Sequence, residues 1–237
     1  MDYAFLEEIL REDQLSDDET TQKEHSHDWG TKPEDGIAPA IVAWPESTED
    51  VSAILREASE RGIPVTPFAA GTSLEGNPVP LEGGISLDVS RMDDVVEIRP
   101  EDFQITVQPG IIGSEVNDAL QSHGLFFPPL PSSGKISTIG GMIANDASGM
   151  LAVKYGEIHD WVLHLEAVLA DGTVINTGSR AAKTSAGYNV LDLLVGSEGT
   201  LAVVTEATLE LSGRPEQIRG GRVIFTDRTE EIGRAHV

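Results

Sequence analysis

A chain of 237 residues with 39% hydrophobic content can bury one generous core or two small ones, which excludes bulk disorder. It has no cysteine, so disulfides, thiolate metal sites and thiol catalysis are all excluded. Forty acidic residues against sixteen basic ones leave a net charge of −24, which repels nucleic acid and anionic lipid surfaces.

The acids are scattered along the chain, and only five of the basic residues are lysine. That pattern suits a surface kept hydrated in high salt, and it predicts a salt-loving source and a fold that loosens at low salt. No apolar run approaches the roughly 20 residues of a membrane span. The acidic start MDYAFLEEILREDQ lacks the regions of a secretory leader, so a cytoplasmic location is the expectation.

Residues 1–25 read as a polar helical lead-in with Phe5, Leu6, Ile9 and Leu10 on its apolar side, and HSHDWGTKPEDGIAP as an irregular loop. AIVAW (40–44) predicts a short strand stopped by Pro45. STEDVSAILREASERG predicts a helix: Ser47 is placed to cap it, Val51, Ile54, Leu55 and Ala58 share one face, and Gly62 ends it. IPVTP returns as a strand, completing a β-α-β unit. The loop VTPFAAGTSLEGNPVP (65–80) lies at the carboxyl end of that second strand.

GGISLDVS, DVVEIRP and FQITVQPG then predict three short strands, and SEVNDALQSHG a helix with Val116 and Leu120 inside. LFFPPLPSSGKISTIGGMIANDASGM fits no simple period. WVLHLEAVLADGTVI reads as two strands around an Asp171-Gly172 turn. LDLLVGSEGTLAVVTEATLELS closes with a glycine turn and a long alternating strand. Strand-helix-strand first and antiparallel strands later predict an α+β fold of two subdomains, not a doubly wound sheet.

Three glycine clusters carry the chemistry: residues 69–77, 137–149 and 196–200. In the first, Gly71 and Gly76 stand among Ala69, Ala70, Thr72 and Ser73, a run that leaves backbone N–H groups free to converge on an anion. A mere surface turn is the competing reading. Walker-type phosphate binding is excluded, because GKIS (134–137) puts Ile136 where a hydroxyl belongs, and no glycine trio has dinucleotide spacing. Three such clusters suggest one long, partly flat, phosphorylated ligand touched at several places. No G-x-S-x-G elbow occurs, which disfavours acyl-transfer hydrolysis. His25-x-His27 has ligand chemistry but no third ligand in view. His123, His159 and His164 read as helix-end or strand residues, and Gln104 and Glu166 as strand-face residues.

PAIVAWPESTEDVSAILREASERGIPVTPFAAGTSLEGNPVP, FFPPLPSSGKISTIGGMIANDASG with VKYG, and KTSAGYNVLDLLVGSEGTLAVVTEATLEL together resemble the FAD-binding domain of the vanillyl-alcohol-oxidase (PCMH) type. The resemblance spans roughly residues 20–213 and is strongest to the branch of cytochrome-type D-lactate dehydrogenases and D-type glycolate oxidase subunits. It implies a small β-α-β subdomain (37–92) and a larger mixed or antiparallel one (93–213), after a lead-in (1–36). The resemblance further implies that Ala69, Ala70, Gly71, Thr72, Ser73, Gly76 and Asn77 wrap the FAD pyrophosphate. Pro131, Ser132, Thr138, Gly140, Gly141, Ser148 and Gly149 would line the ribityl chain and the ring system, with Glu198, Gly199 and Val204 at the adenosine side or beside the flavin. Lys183 and Tyr188 match a segment near the cofactor. Ala69 stands where many relatives have glycine, and its methyl requires a negative φ. Some relatives attach FAD through a histidine in this loop; none lies between His27 and His123, so non-covalent FAD is expected.

The implied activity is oxidation of a D-2-hydroxy acid, D-lactate first and glycolate second, by hydride transfer to flavin N5. Electrons would pass to a cytochrome, quinone or flavoprotein partner. The catalytic base and a divalent metal belong, by resemblance, to a C-terminal cap. Residues 214–231 read as its start, and 232–237 as sequencing-adapter translation, so the chain is expected to be a truncated fragment. Two alternatives stand beside this reading. One is a flavin-binding module that needs a separate cap subunit. The other is a sister oxidase such as an alkyl-glycerone phosphate synthase or a sugar-lactone oxidase.

Overall fold

Two larger sheets divide the chain, and the computed structural model describes residues 2–181, 183–219 and 221 of it. The expected cap segment beyond 221 and the adapter-like 232–237 lie outside the described residues. The lead-in is not one helix. It breaks into α1 (Leu6–Ile9), a two-residue strand β1 (Leu15–Ser16) and α2 (Glu19–Glu24). The breaks have local causes: Asp18 accepts the N–H groups of Thr20 and Thr21 as a new helix cap, and Leu15 and Ser16 leave the helix to pair with the next strand.

β1, β2 (Ile41–Ala43), β3 (Val65–Phe68) and β4 (Ile85–Asp88) form the first sheet in the order β1-β2-β4-β3. β2 and β3 both run parallel to β4, whereas β1 is antiparallel. All four residues of β4 are buried, as befits a central strand covered on both faces. Pro67 sits on the edge strand β3, where a missing N–H does least harm. The crossover helix α3 (Thr48–Arg61) forms as its sequence dictates. Ser47 Oγ accepts the Asp50 N–H at 3.1 Å, acids occupy its first turn, and Gly62 ends it at φ 64°. Val51, Ile54, Leu55 and Ala58 are buried against Ile85, Leu87, Leu6 and Leu10.

The second sheet begins with β5 (Val95–Arg99) and β6 (Gln104–Val107). After α4 (Gly113–Ala119), β7 (Leu125–Phe126), α5 (Ile139–Ala144) and α6 (Ala152–Tyr155), it continues with the hairpin β8 (Val162–Leu169) and β9 (Val174–Gly178). A short α7 (Leu191–Leu194) precedes the long β10 (Ala202–Glu210), and β11 (Ser212–Gly213) pairs with β7. The order is β5-β6-β10-β8-β9, antiparallel throughout. Its inner face (Ile105, Val107, Leu165, Ala167, Ala207, Leu209) packs on Val116, Leu120, Phe127, Ile139 and Ile143. Val168 and Val203 point the other way and join the core of the first sheet, so α3 ties both sheets together. Among the described residues no helix is long and apolar enough to cross a membrane.

Candidate functional site

The loop after β3 begins where the parallel strands end, the usual place for a ligand crevice in such a sheet. Gly71 adopts φ 60° and Gly76 φ 82°, turning the chain back twice within six residues. Ala69 is not among the residues with positive φ, so its methyl is accommodated, and it packs against the first core. Among the described residues, the backbone N–H groups of Ala70, Gly71, Thr72 and Ser73 have no protein acceptor.

A groove of about 380 Å³ opens in front of these groups. Its far walls come from the other two glycine clusters. Fourteen of the residues named from the resemblance line it: Ala69 to Ser73, Asn77, Pro131, Thr138, Gly140, Gly141, Ser148, Glu198, Gly199 and Val204. Gly76, Ser132 and Gly149 do not. Gly76 gives its N–H to Asp28 Oδ2 at 2.8 Å, Ser132 is exposed, and Gly149 is a packing glycine. A Cβ on Gly149 would stand 2.0 Å from the Leu130 carbonyl oxygen. Lys183 and Tyr188 are exposed and outside the groove.

Hydroxyl and amide bridges lock the clusters together. Thr72 Oγ1 lies 2.9 Å from Ser137 Oγ, which donates to Ser133 Oγ at 2.7 Å. Asn145, at the end of α5, bridges Ser73, Glu75 and Asn77. The 196–200 turn hangs on the same helix: the Gly196 and Glu198 N–H groups donate to the Ile143 and Ala144 carbonyls at 2.9 and 2.8 Å. That geometry holds Glu198 at φ 55°, rare for a residue with a side chain. The lining of Ser133, Ser137 and Asn145 escaped the sequence reading. Asn145 had a readable signal, since Asn commonly closes a helix.

One group behind the loop, Asp28, was also missed, and a second, His25, has a different role from the ligand chemistry considered for it. Asp28, only 2% exposed, accepts the Thr31 and Gly76 N–H groups, each at 2.8 Å. Burial pushes its carboxyl up, but the hydrogen bonds from Thr31, Gly76 and Ser73 outweigh that and hold it below the usual range. The D-x-x-T spacing of Asp28 and Thr31 was the available sign of a local turn. His25 is no metal ligand: its Nδ1 meets the Thr21 carbonyl at 2.8 Å and its Nε2 meets Asp88 Oδ2 at 2.9 Å. Its ring lies 4.4 Å from that of Phe68, which lines the groove.

At the other rim, Asp146, Glu157 and His159 bring ligand atoms within 4.8 Å of one another. The cluster is partly exposed, and its closest contact is the His159 Nδ1–Asp146 Oδ2 ion pair at 2.8 Å. His123 and His159 fall in 3₁₀ turns and His164 on β8.

A profile of the FAD binding domain family matches residues 39–178. The GlcD subunit of glycolate oxidase from Bacillus subtilis is 47% identical over 178 residues, which is 75% of this chain and 38% of that protein. A D-lactate dehydrogenase of Archaeoglobus fulgidus is 47% identical over 171 residues, 72% of this chain and 38% of the other. Among solved structures, an alkyldihydroxyacetonephosphate synthase superposes with a TM-score of 0.80 at 26% identity, covering 92% of this chain and 45% of its own. The matched stretch therefore covers between 38% and 45% of the length of these relatives.

Proposed function

The chain belongs to the FAD binding domain family, and on that premise we propose that it is the flavin-holding part of an FAD-dependent D-2-hydroxyacid dehydrogenase. D-Lactate is the first substrate and glycolate the second. The observation that carries this reading is the run of four N–H groups without acceptors among the described residues, Ala70 to Ser73, on residues that line a groove where all three glycine clusters meet. Such a row of donors suits a pyrophosphate without any lysine.

The residues present fit the cofactor. Small side chains keep the groove open: a Cβ on Gly141 would meet only Thr138 Oγ1, at 3.2 Å. Gly140 is small for another reason, since a Cβ there would lie 2.6 Å from Pro109 Cβ. The loop 69–77 would bind the phosphates. Thr138, Gly141 and Ser148 would flank the ribityl chain and ring system, and Glu198, Gly199 and Val204 the adenosine side. FAD supplies the two-electron chemistry. The acid–base groups, a divalent metal and the contact with a cytochrome, quinone or flavoprotein are assigned to the part of the relatives that this chain does not span. Greater identity to the glycolate oxidase subunit and the D-lactate dehydrogenase, 47% each, than to the alkyldihydroxyacetonephosphate synthase, 26%, favours the first reading over the sister oxidase.

The chain mixed with FAD should retain yellow flavin after gel filtration, and acid precipitation should release all of it. Failure to retain flavin sinks the proposal, and colour left on the acid pellet sinks its non-covalent form. In a protein of the relatives' full length, D-lactate should bleach the flavin faster than glycolate or D-2-hydroxyglutarate. No bleaching by any of the three would favour a flavin-binding module without this activity.

A further inference from the structure

The segment 28–31 lies against the back of the loop 71–76, outside the stretch matched by the family profile, which begins at residue 39. Three hydrogen bonds join them, and a fourth, from Thr31 to Asp28, closes the segment on itself. The Trp29 N–H donates to the Gly71 carbonyl at 3.1 Å, and the Gly30 N–H to the Ser73 carbonyl at 3.3 Å. The Asp28 carboxylate accepts the Gly76 N–H through one oxygen and the Thr31 N–H through the other. Gly30 fits so closely that a Cβ would stand 2.2 Å from the Leu74 carbonyl oxygen.

These contacts determine which way two of the loop's N–H groups face, those of Thr72 and Leu74. No peptide bond among the described residues is cis, and in a planar trans peptide the C=O and the following N–H point in opposite directions. With the Gly71 carbonyl drawn back to Trp29, the Thr72 N–H must point away from the brace, and Thr72 lines the groove. The same reasoning turns the Leu74 N–H outward, where it meets Glu75 Oε2 at 3.0 Å.

We infer that residues 28–31 are a brace that presets the backbone of the phosphate-facing loop, with Asp28 as a positioning residue for the phosphorylated part of the flavin nucleotide. The inference rests on the FAD reading above. Asp28 does not line the groove and acts through Gly76 and Thr31. Its charge gives the test a sign. An anion acting only through space would repel the phosphates, so Asp28→Asn would tighten FAD. A brace predicts the reverse, because the amide offers an N–H where a backbone N–H needs an acceptor.

The test is a titration of the wild-type, Asp28→Asn and Gly30→Ala chains with FAD, read by flavin fluorescence, together with amide hydrogen exchange with and without FAD. Far-UV circular dichroism confirms folding. Asp28→Asn should weaken FAD about tenfold, the loss expected when one charge-assisted hydrogen bond goes. FAD should no longer slow exchange over residues 70–74, while protection over 138–148 and 197–204 persists. Gly30→Ala, which keeps the charge, should act in the same direction and remains informative if the other variant fails to fold. Without FAD, exchange over 71–76 should already be faster in both variants. Unchanged apo exchange there, or unchanged or tighter FAD binding by folded Asp28→Asn, overturns the brace. A wild-type chain that takes up no FAD refutes the functional reading instead, and the apo exchange still decides whether the loop is braced.

Discussion

At the scale of single residues, a buried charge must be explained by its partners. His25 and Asp88 are 6% and 5% exposed, and Asp88 also takes the Trp44 Nε1–H at 2.9 Å and the Ser90 N–H at 2.9 Å. Burial pushes the His25 imidazole down. The Asp88 carboxylate, the Thr21 carbonyl and the charges of Asp88 and Glu24 together outweigh it and raise its pKa. A raised folded-state value means that the stabilisation is fully present below the unfolded value of about 6.5 and is lost as pH rises through the folded one. Breaking a buried pair costs about 3 kcal/mol, so His25→Gln should be that much less stable at pH 5.5. The gap should narrow above neutrality as the wild-type imidazole loses its proton. Denaturant unfolding at pH 5.5 and 9 checks this; a gap independent of pH would show that the pair is held as a neutral hydrogen bond.

At the scale of elements, the outer face of the second sheet carries an unfavourable choice. Glu166 on β8 stands directly across from Glu206 on β10. Glu166 Oε1 is satisfied by the Thr48 and Thr205 hydroxyls at 2.7 and 3.0 Å, whereas the nearest cation to Glu206 among the described residues is Arg180, at 3.9 Å. Burial first, then the charge of Glu166, raises the Glu206 pKa. A raised acid contributes stability below its unfolded value near 4.5 and loses it as pH climbs through the folded value. Glu206→Gln should therefore stabilise the fold by about 0.5 kcal/mol at pH 7 and by nothing at pH 4. Urea unfolding at both pH values reads it; destabilisation at pH 7 would mean that Arg180 outweighs Glu166.

At the scale of the whole molecule, charge dominates. With a net charge of −24 and few lysines, the folded surface repels itself wherever salt does not screen it. The Debye length falls from about 10 Å at 0.1 M salt to about 3 Å at 1 M. The unfolding midpoint should rise by about 10 °C between dilute buffer and 2 M KCl, equivalent to roughly 3 kcal/mol for a chain of this size. Scanning calorimetry in KCl, with isosmotic sucrose as the control, measures it, and a midpoint that moves equally in sucrose would remove charge as the cause.

The sequence by itself determined what periodicity and local chemistry control: the capped helix α3, the strand pair around the Asp171-Gly172 turn, the long strand β10, and the glycine clusters that a flat phosphorylated ligand needs. It misread the lead-in as one helix, because Asp18 capping and the pairing of β1 with β2 compete with helix propensity across only a few residues. Three facts belonged to tertiary structure alone. The clusters meet in one groove because α5 carries the loop, through Asn145, on one side and the 196–200 turn on the other. Gly149 serves packing, whereas Gly141 lines the groove. Asp28 and Trp29, in a stretch with no period, hold the loop from behind. Each depends on contacts between residues tens of positions apart, and a one-dimensional pattern records a residue's own preferences but not which distant backbone it will touch.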